Sequence, residues 1–266
     1  MKIHPTAQID PKAELGDDVE IGPGVIIAAD TIVGDGTRLE PNVVLHRWTQ
    51  IGRRCHIRTG AVLGGAPQDR KFRGERSYLR IGNDNEICEY VTIHRATGED
   101  KSTIIGDGNL LMANCHVGHN CVIGSNVMMA NMVGVSGHVL VEDNVVLGGI
   151  VGVHQHVRIG KLAMIGGFSK VSQDVPPFMM ADGRPCKVYG LNVVGLKRAG
   201  INEATRAALR QAFTLMYRSG LNMAQALACI QEQVEPSEER DYLLKFMNQA
   251  RLGYSGRQND PKRSRE

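Results

Sequence analysis

Histidines are the residues of this chain whose spacing most clearly suggests shared chemistry. Five of the nine fall in one central segment: His116, His119, His138, His154 and His156. An isolated imidazole titrates near pH 6.5, so at neutral pH it can accept a proton, donate a hydrogen bond or bind a metal ion. The segment is therefore a candidate site for acid–base or zinc chemistry, provided that the fold brings these side chains together.

An uninterrupted hydrophobic repeat surrounds the histidines. Every sixth residue from 105 to 171 is aliphatic, and glycine often follows directly, as in Gly106, Gly118 and Gly124. A period of six matches neither an α-helix nor one long strand. It is typical of a hexapeptide parallel β-helix, in which each face is a short strand and each corner a turn. The repeat consists of Ile105, Leu111, Val117, Ile123, Met129, Val135, Val141, Leu147, Val153, Ile159, Ile165 and Val171.

The same register begins near the N-terminus, at Ile3. From residue 3 to residue 171 it has 29 positions, of which 26 are Ile, Leu, Val or Met. About seven or eight would be expected by chance. The three exceptions, Asp69, Glu75 and Glu99, fall in two charged stretches. We predict a mainly β fold, a left-handed parallel β-helix over residues 1–177, with loops at 64–80 and 96–103.

The coil length decides where the histidines lie around the β-helix. Three hexads close one coil, so residues 18 apart lie above one another at strand spacing, about 5 Å. When their residue numbers are divided by 18, the five central histidines leave similar remainders. They should therefore lie at nearly the same angle around the axis, in successive coils. His46 shares this angle several coils away, whereas the same division assigns His4, His56 and His94 to other faces. The repeat therefore predicts a ridge of imidazoles along one edge.

Helical patterns follow the end of the repeat. We predict a connecting segment at 178–200, a C-terminal helical domain at 201–254 and a flexible polar tail at 255–266. Because flat faces of such β-helices can pack against one another, we also expect a homotrimer. The three amphipathic helices of the domain each have a suitable N-cap: Asn202, Asn222 and Ser237.

The composition argues against several classes of function. A net charge of +3 over 266 residues gives no indication of nucleic-acid binding. No apolar run reaches membrane-spanning length, and the N-terminus lacks the apolar region of a signal peptide. The six cysteines show no paired metal-ligand spacing, and three fall on inward hexad positions, as expected of core thiols in a reducing compartment. We expect a cytoplasmic protein without stable membrane insertion.

Three interpretations of the histidine ridge remain open from the residues alone. The histidines could occupy polar turns without a function. Three neutral imidazoles could bind zinc, as in trimeric carbonic anhydrases built on the same type of β-helix. One histidine could act as a general base in acyl transfer, taking a proton from a sugar hydroxyl that attacks a thioester. Acyl transfer also gives a role to the basic 64–80 loop, which would suit a nucleotide diphosphate and an acidic carrier protein.

Longer motifs closely resemble the UDP-N-acetylglucosamine O-acyltransferases, which catalyse the first step of lipid A synthesis. The resemblance extends from the N-terminus to about Gly253 and rests on GGAPQDRKF, DGNLLMANCHVGHNC, GVSGHVLVEDN, GGIVGVHQHVRIG, GGFSKVSQDVPPF and GLNVVGLKRAG. It implies transfer of an (R)-3-hydroxyacyl group from acyl carrier protein to the 3-hydroxyl of UDP-N-acetylglucosamine. It also implies a cytoplasmic homotrimer that needs no cofactor and no metal, with active sites between adjacent subunits.

The resemblance also implies roles for individual residues. His119 corresponds to the general base, and the Gly137 backbone amide to the group that stabilises the oxyanion. Gly167 corresponds to a position in the acyl-chain groove, where the missing side chain favours a medium-to-long acyl group. Pro185 and Cys186 occupy the region of the other end wall. The remaining substrate-binding residues implied by the resemblance are Gln68, Asp69, Lys71, His116, His138, His154, Gln155, Asn192 and Arg198.

Three positions depart from the family pattern. Relatives often carry Asp directly after the general base, where this chain has Asn120. A neutral amide can orient the imidazole but stabilises the imidazolium less than a carboxylate does. A second arginine near the tail is replaced by Ala199, which removes one phosphate contact, and an acidic residue is replaced by Val194. We expect these changes to weaken nucleotide binding without abolishing it.

Two alternative functions stay open at the level of sequence. One is the related N-acyltransferase that acts later in the pathway. That enzyme normally carries an extra N-terminal uridine-binding domain, whereas here the hexads begin at Ile3. The other is a hexapeptide zinc lyase, which metal analysis of the purified protein would distinguish.

Overall fold

Short strands build most of the chain. The structure, a computed structural model, describes residues 1–252 and 256–259. The strands before the first long loop are β1 (Lys2–Ile3), β2 (Gln8–Ile9), β3 (Glu14–Leu15), β4 (Glu20–Ile21), β5 (Ile26–Ile27), β6 (Ile32–Val33), β7 (Arg38–Leu39), β8 (Val44–Leu45), β9 (Thr49–Ile51), β10 (His56–Ile57) and β11 (Val62–Gly65). Those up to the central histidines are β12 (Tyr78–Ile81), β13 (Glu86–Ile87), β14 (Thr92–His94), β15 (Ser102–Ile105), β16 (Leu110–Leu111) and β17 (His116–Val117). The rest are β18 (Val122–Ile123), β19 (Met128–Met129), β20 (Gly134–Val135), β21 (Leu140–Val141), β22 (Val146–Leu147), β23 (Gly152–Val153), β24 (Arg158–Ile159), β25 (Met164–Ile165), β26 (Lys170–Val171), β27 (Met179–Gly183) and β28 (Cys186–Leu191).

Strands β1 to β26 wind around one axis and form three parallel sheets. Face 1 contains β1 and every third strand to β25, face 2 runs from β2 to β26, and face 3 from β3 to β24. Residues 18 apart pair directly, as His116 does with Gly134 and Gly134 with Gly152. The body is therefore the left-handed parallel β-helix that the hexapeptide repeat predicts.

Hexad residues form the core, and polar turns form the corners. Leu111 and Val117, on adjacent faces, are both fully buried, so each coil removes its aliphatic side chains from water. Many corners hold Asn or Asp with positive φ, because their short polar side chains tolerate the left-handed region. Asn120, His138 and His156 occupy the same corner in successive coils, with φ of 59°, 61° and 63°.

Both long insertions leave the β-helix at the edge between face 2 and face 3, called the histidine edge below. The first joins β11 to β12 through residues 66–77, and the second joins β14 to β15 through residues 95–101. These loops are slightly shorter than the predicted 64–80 and 96–103, because β11, β12 and β15 extend to four residues each.

The lengths of these insertions explain a wrong prediction about His94. Across single corners, Leu63 and Ile81 are 18 residues apart and Ile93 and Ile105 are 12 apart, where six is the usual spacing. Both insertions are multiples of six, so the aliphatic register survives. The segment between them is nevertheless shifted around the axis, and β14 pairs with β17 at a separation of 24 residues. His94 consequently lies on the histidine edge and not on another face.

Residues 178–200, predicted as a connecting segment, have regular structure of their own. Strand β27 pairs in parallel with β25 and extends face 1, and β28 returns antiparallel to it. Helix α1 (Val193–Arg198) follows, with Asn192 as its N-cap. The hexad pattern could not reveal this hairpin, because its strands do not repeat at intervals of six.

Three longer helices form the C-terminal domain: α2 (Glu203–Tyr217), α3 (Met223–Gln233) and α4 (Glu238–Arg251). Each begins after a side chain that accepts a hydrogen bond from the third backbone amide of the helix. These residues are Asn202, Asn222 and Ser237, which confirms the predicted caps. The buried faces of the helices pack against one another and against Phe178 and Met179 at the end of the β-helix.

A buried polar cluster joins α4 to face 3. Glu142 accepts hydrogen bonds from the Arg158 guanidinium at 2.8 Å, the Lys161 amide at 2.8 Å and the Tyr242 hydroxyl at 2.7 Å. Arg158 also donates to Gln249 at 2.9 Å. Because each charged group has several partners, the ion pair can remain inside the interface between the two parts of the chain.

The predicted flexible tail is described only in part. Gly256–Asn259 form a 3-10 turn, and the Arg257 amide donates to the Asp174 carboxylate at 2.8 Å. Residues 255 and 260–266 lie outside the described residues. Within the described ranges, no helix combines the length and the apolar character needed to cross a lipid bilayer.

Candidate active site

Imidazole rings contact one another along the histidine edge. The His119 and His138 ring centres are 5.1 Å apart and the rings are perpendicular, at 89°. His138 and His156 lie 4.7 Å apart and nearly parallel, at 8°. One coil below, His94 contacts His116 at 5.0 Å and 86°. The predicted ridge therefore exists, and it contains His94 as an additional member.

A cleft of about 310 Å³ opens beside these rings. His119 forms part of its wall and is only 7% exposed, so water reaches it mainly through the cleft. The side chains and backbone around the cleft come from four successive coils and from the first loop. They are Gln68, His94, His116, Gly118, His119, Gly134, Val135, Ser136, Gly137 and Gln155.

Asn120 fixes the orientation of the His119 ring. Its Oδ1 lies 2.8 Å from His119 Nδ1 and also accepts a hydrogen bond from the Thr97 amide at 2.9 Å. Its Nδ2 donates to the Thr97 carbonyl at 3.0 Å, which determines which end of the amide faces the imidazole. Since Asn120 presents an acceptor, Nδ1 of His119 carries the hydrogen and Nε2 keeps a lone pair. That tautomer leaves Nε2 able to accept a proton.

Gly137 lies directly against the Nε2 side of His119. A Cβ built on Gly137 would be 2.6 Å from that nitrogen, so any side chain would displace the ring. On either side of Gly137, the Ser136 amide donates to the Val153 carbonyl and the His138 amide to the His119 carbonyl. The Gly137 backbone thus lies against the ring nitrogen of His119 that keeps a lone pair.

Burial in this region disfavours charge on the surrounding imidazoles. It lowers the pKa of His94 to about 4, and the neighbouring imidazoles, His116 first, contribute further. Burial also lowers the pKa of His116 and that of His138, where His156 adds to the effect. These three side chains are neutral at pH 7, so they provide polar walls that donate or accept hydrogen bonds without adding positive charge.

The first loop brings three predicted substrate residues to the same edge. Gln68 lines the cleft, and the charges of Asp69 and Lys71 act on the His138 imidazole. Asp69 Oδ1 accepts a hydrogen bond from the Lys71 amide at 3.0 Å, which holds this part of the loop in a turn. Within one chain, the side chains of Asp69 and Lys71 are therefore close enough to the ridge to act electrostatically on His138.

The other predicted residues differ in their distance from the cleft. Gln155 lines the cleft, whereas His154 borders a shallower depression next to it, together with Lys170. Gly167 occupies the edge between faces 1 and 2. Asn192 is nearly buried, with its side chain accepting from the Gly195 amide and donating to the Leu162 carbonyl. Arg198 is exposed at the end of α1. Within one chain, the structure does not bring these last three residues to the His119 cleft.

Sequence reasoning missed His94 as a cleft residue. The signal that could have identified it is the spacing of the hexads around the two loops, because both insertions cross the same edge and displace the segment between them. Thr92, also on β14, lies 2.8 Å from His116 Nδ1 through its hydroxyl, and no sequence motif indicated this contact.

The relative orientation of the imidazole rings determines whether they can bind one zinc ion together. Lone pairs of the parallel His138 and His156 rings lie in parallel planes and cannot meet at one point. In the part of the chain that the structure describes, no three or more His, Cys, Asp or Glu side chains are arranged to hold a metal ion.

Two family models match parts of this chain. Residues 174–255 match the model of the family described as Udp N-acetylglucosamine O-acyltransferase, domain 2, and residues 30–65 and 102–137 match the bacterial transferase hexapeptide family. An acyl-[acyl-carrier-protein]–UDP-N-acetylglucosamine O-acyltransferase from Thermodesulfovibrio yellowstonii is 48% identical, over 95% of this chain and 98% of its own length. The protein of the same name from Syntrophobacter fumaroxidans is 43% identical, over 95% and 99% respectively.

Solved structures give the same result. The UDP-N-acetylglucosamine O-acyltransferase from Moraxella catarrhalis superposes with a TM-score of 0.90 at 41% identity, covering 94% of this chain and 98% of that one. The identity and the coverage are both high, and the match includes the β-helix and the helical domain. The chain belongs to the UDP-N-acetylglucosamine O-acyltransferase family.

Proposed function

We propose that this protein transfers an (R)-3-hydroxyacyl group from acyl carrier protein to the 3-hydroxyl of UDP-N-acetylglucosamine, the first step of lipid A synthesis. The observation that carries the proposal is the pairing of His119 Nε2 with the Gly137 backbone at the wall of one cleft. Relatives whose names state this activity are 43% and 48% identical to the chain over nearly its full length.

In the proposed mechanism, His119 is the general base. Its Nε2 takes the proton from the sugar 3-hydroxyl as that oxygen attacks the thioester carbonyl carbon. Negative charge then develops on the carbonyl oxygen, where the Gly137 amide donates a hydrogen bond. When the tetrahedral intermediate collapses, the carbon–sulfur bond breaks and the carrier thiolate receives the proton from the His119 imidazolium. Asn120 stabilises the transient cation through its Oδ1.

Neutral imidazoles and the first loop are proposed to hold the substrates. His116 and His138 provide polar groups without positive charge around the base, and Gln155 extends the cleft along the axis. Gln68, Asp69 and Lys71 are proposed to contact the sugar nucleotide, with Lys71 facing its phosphates. His154, in the adjacent depression, is proposed to contact the more distant part of the substrate.

We further propose a cytoplasmic homotrimer in which a neighbouring subunit completes each cleft. Gly167, Asn192 and Arg198 lie outside the His119 cleft of their own chain, so their proposed substrate roles require a second copy. Apolar side chains on the outer faces support packing between subunits. They include Ile104 at 40% exposure, Val122 at 38% and Met128 at 39%.

The proposed acyl group is of medium to long chain length. Gly167 is exposed and has no side chain, and a Cβ there would approach the Gly149 carbonyl to 3.2 Å. A methionine at this position would therefore fill the space along this edge. Pro185 and Cys186 belong to the hairpin at the end of face 1 and are proposed to form part of the end wall.

An acyl-transfer assay with the His119→Ala protein tests the function. We expect the turnover to fall by about 10²–10⁴-fold, the usual contribution of a positioned general base. His4→Ala, which removes an exposed imidazole at the edge between faces 1 and 2, is the matched control. Near-wild-type turnover of His119→Ala would contradict the assignment. Carrier thioesters of several chain lengths, offered with 3-hydroxyl and 3-amino acceptors, would test the substrate.

A further inference from the structure

His156 belongs to the histidine ridge, yet neither the proposed chemistry nor the family motifs give it a role. Its ring is half-buried and stacks on one face of His138 at 4.7 Å. The His119 ring contacts His138 at a right angle, with 5.1 Å between the ring centres. The three imidazoles therefore form a continuous series of ring contacts that ends at the proposed base.

The backbone of His156 also reaches the reaction centre. Its amide donates to the Gly137 carbonyl at 3.2 Å, and the His138 amide donates to the His119 carbonyl at 3.0 Å. The Gly137 carbonyl belongs to the peptide that follows the proposed oxyanion donor, so its hydrogen bond restricts rotation of that segment. His156 is thus connected to both functional groups, by its ring on one side and its backbone on the other.

The corner itself does not require an imidazole. His156 has φ of 63°, and equivalent corners in this chain hold asparagine at Asn114, Asn126 and Asn144. Asparagine adopts the left-handed region more readily than most residues, because its short polar side chain can bond locally. A ring at this position is therefore better explained by the aromatic contact with His138 than by the demands of the turn.

We propose that His156 is a positioning residue for acyl transfer, holding the His138 ring plane and, through it, the His119 imidazole beside Gly137. This inference rests on the proposed function, because it assigns His119 the role of base. Without the stack, His138 loses the support on one face and can rotate away from the His119 edge. The base then spends less time in the geometry needed for proton transfer.

Two substitutions separate ring stacking from backbone geometry. His156→Asn keeps a residue suited to the corner but removes the ring, and we expect kcat to fall about tenfold while KM for the sugar nucleotide changes less than about twofold. His156→Phe restores a flat ring. Phe168 shows that a left-handed corner of this β-helix accepts phenylalanine. The His156→Phe protein should recover most of the loss, to within about threefold of the wild-type kcat. His4→Asn serves as the control for removal of an imidazole outside the ridge.

A spectroscopic measurement makes the test independent of turnover. In the wild type, the His156 ring current should shift the His138 Hε1 resonance upfield in protein with labelled histidine. We expect this shift to disappear in His156→Asn and to persist in His156→Phe. Burial is the largest cause of the lowered pKa of His138; His156 adds to it, as do His119 and Lys71, and Asp69 opposes it. Both variants remove the His156 imidazole, so both should raise the pKa of His138.

The outcomes distinguish this inference from the proposed function. Loss of kcat in His156→Asn with recovery in His156→Phe supports the positioning role. Wild-type kcat in His156→Asn, or an equal loss in both variants, would overturn it. If the wild-type protein showed no acyl transfer, the proposed function would fail. The ring-current shift alone would then report whether the stack exists, and its absence in the wild type would also refute the positioning role.

Discussion

At the scale of single residues, Asn120 performs two tasks, of which a carboxylate could perform only the first. Its Oδ1 orients His119, and its Nδ2 donates to the Thr97 carbonyl. The second bond closes the 95–101 loop against the histidine edge. Aspartate has no donor for Thr97, although it would stabilise the His119 imidazolium through a stronger, charge-assisted bond. The departure from the family pattern thus favours loop anchoring over stabilisation of the cation.

We predict that Asn120→Asp lowers the free energy of unfolding by about 1–3 kcal/mol, because the Thr97 carbonyl loses its donor and faces a carboxylate. The acid limb of kcat/KM should move to higher pH by about one unit, since the added charge favours the protonated ring. Urea unfolding and a pH–rate profile measure the two effects. Unchanged stability would mean that the bond to Thr97 contributes nothing.

The pKa of His94 leads to a second prediction at this scale. Its pKa is about 4 in the folded chain, whereas an unfolded histidine titrates near 6.5. Between these values the unfolded state binds more protons, so stability falls as the pH drops from 6.5 towards 4. We expect a loss of about 1–2 kcal/mol after allowance for the solvent-accessible part of the ring.

Urea unfolding of wild type and of His94→Gln at pH 7 and pH 5 tests this expectation. Glutamine retains a polar side chain but cannot be protonated in this range. The wild type should therefore lose more stability than the variant between the two pH values. Identical losses in both proteins would show that His94 titrates normally, and that its burial next to His116 has little electrostatic effect.

At the scale of elements, the sequence predicted the β-helix well, because every coil buries an aliphatic residue at every sixth position. The three helix caps were equally predictable, since Asn202, Asn222 and Ser237 act locally. The position of His94 was not, because it depends on the length of two insertions. The hairpin of β27 and β28 was missed for a related reason. The pairing of its strands depends on tertiary contacts, and no sequence repeat indicates it.

The attachment of α4 is also a feature that only the tertiary structure reveals. Glu142 and Arg158 have side chains that are 11% exposed and form a direct ion pair. Tyr242 adds one neutral donor from the helix. We therefore expect a substitution at Glu142 to reduce the stability of the fold much more than one at Tyr242.

We predict that Glu142→Ala lowers the free energy of unfolding by about 3–5 kcal/mol, because it removes the carboxylate to which the nearly buried Arg158 guanidinium donates. Tyr242→Phe removes only one hydrogen bond to an acceptor that keeps two other donors, and should cost about 0.5–1.5 kcal/mol. Urea unfolding of both proteins gives the comparison. Equal costs would indicate that Arg158 finds a substitute partner or that water enters the interface.

At the scale of the whole molecule, the proposed substrate residues of one chain lie on different edges. His119 and Gln68 line a cleft on the histidine edge, Gly167 lies between faces 1 and 2, and Arg198 ends the helix that follows the hairpin. Motif resemblance could identify these residues but could not assign them to one chain or to two. Only an assembly in which one copy's histidine edge meets another copy's hairpin region would unite them.

Complementation between two inactive proteins tests this assembly. We expect His119→Ala and Arg198→Ala each to be strongly impaired alone. In a cyclic trimer with sites between subunits, every mixed trimer contains one site with both native residues. Co-expression in equal amounts should therefore restore about a quarter of wild-type activity per subunit, given random assembly into a symmetric homotrimer. Mixing the folded proteins without exchange of subunits should restore nothing. If co-expressed chains gave only the sum of the two parents, His119 and Arg198 would have to act within one chain or Arg198 would have no role. The same result in a protein that sediments as a monomer would remove the trimer from the proposal altogether.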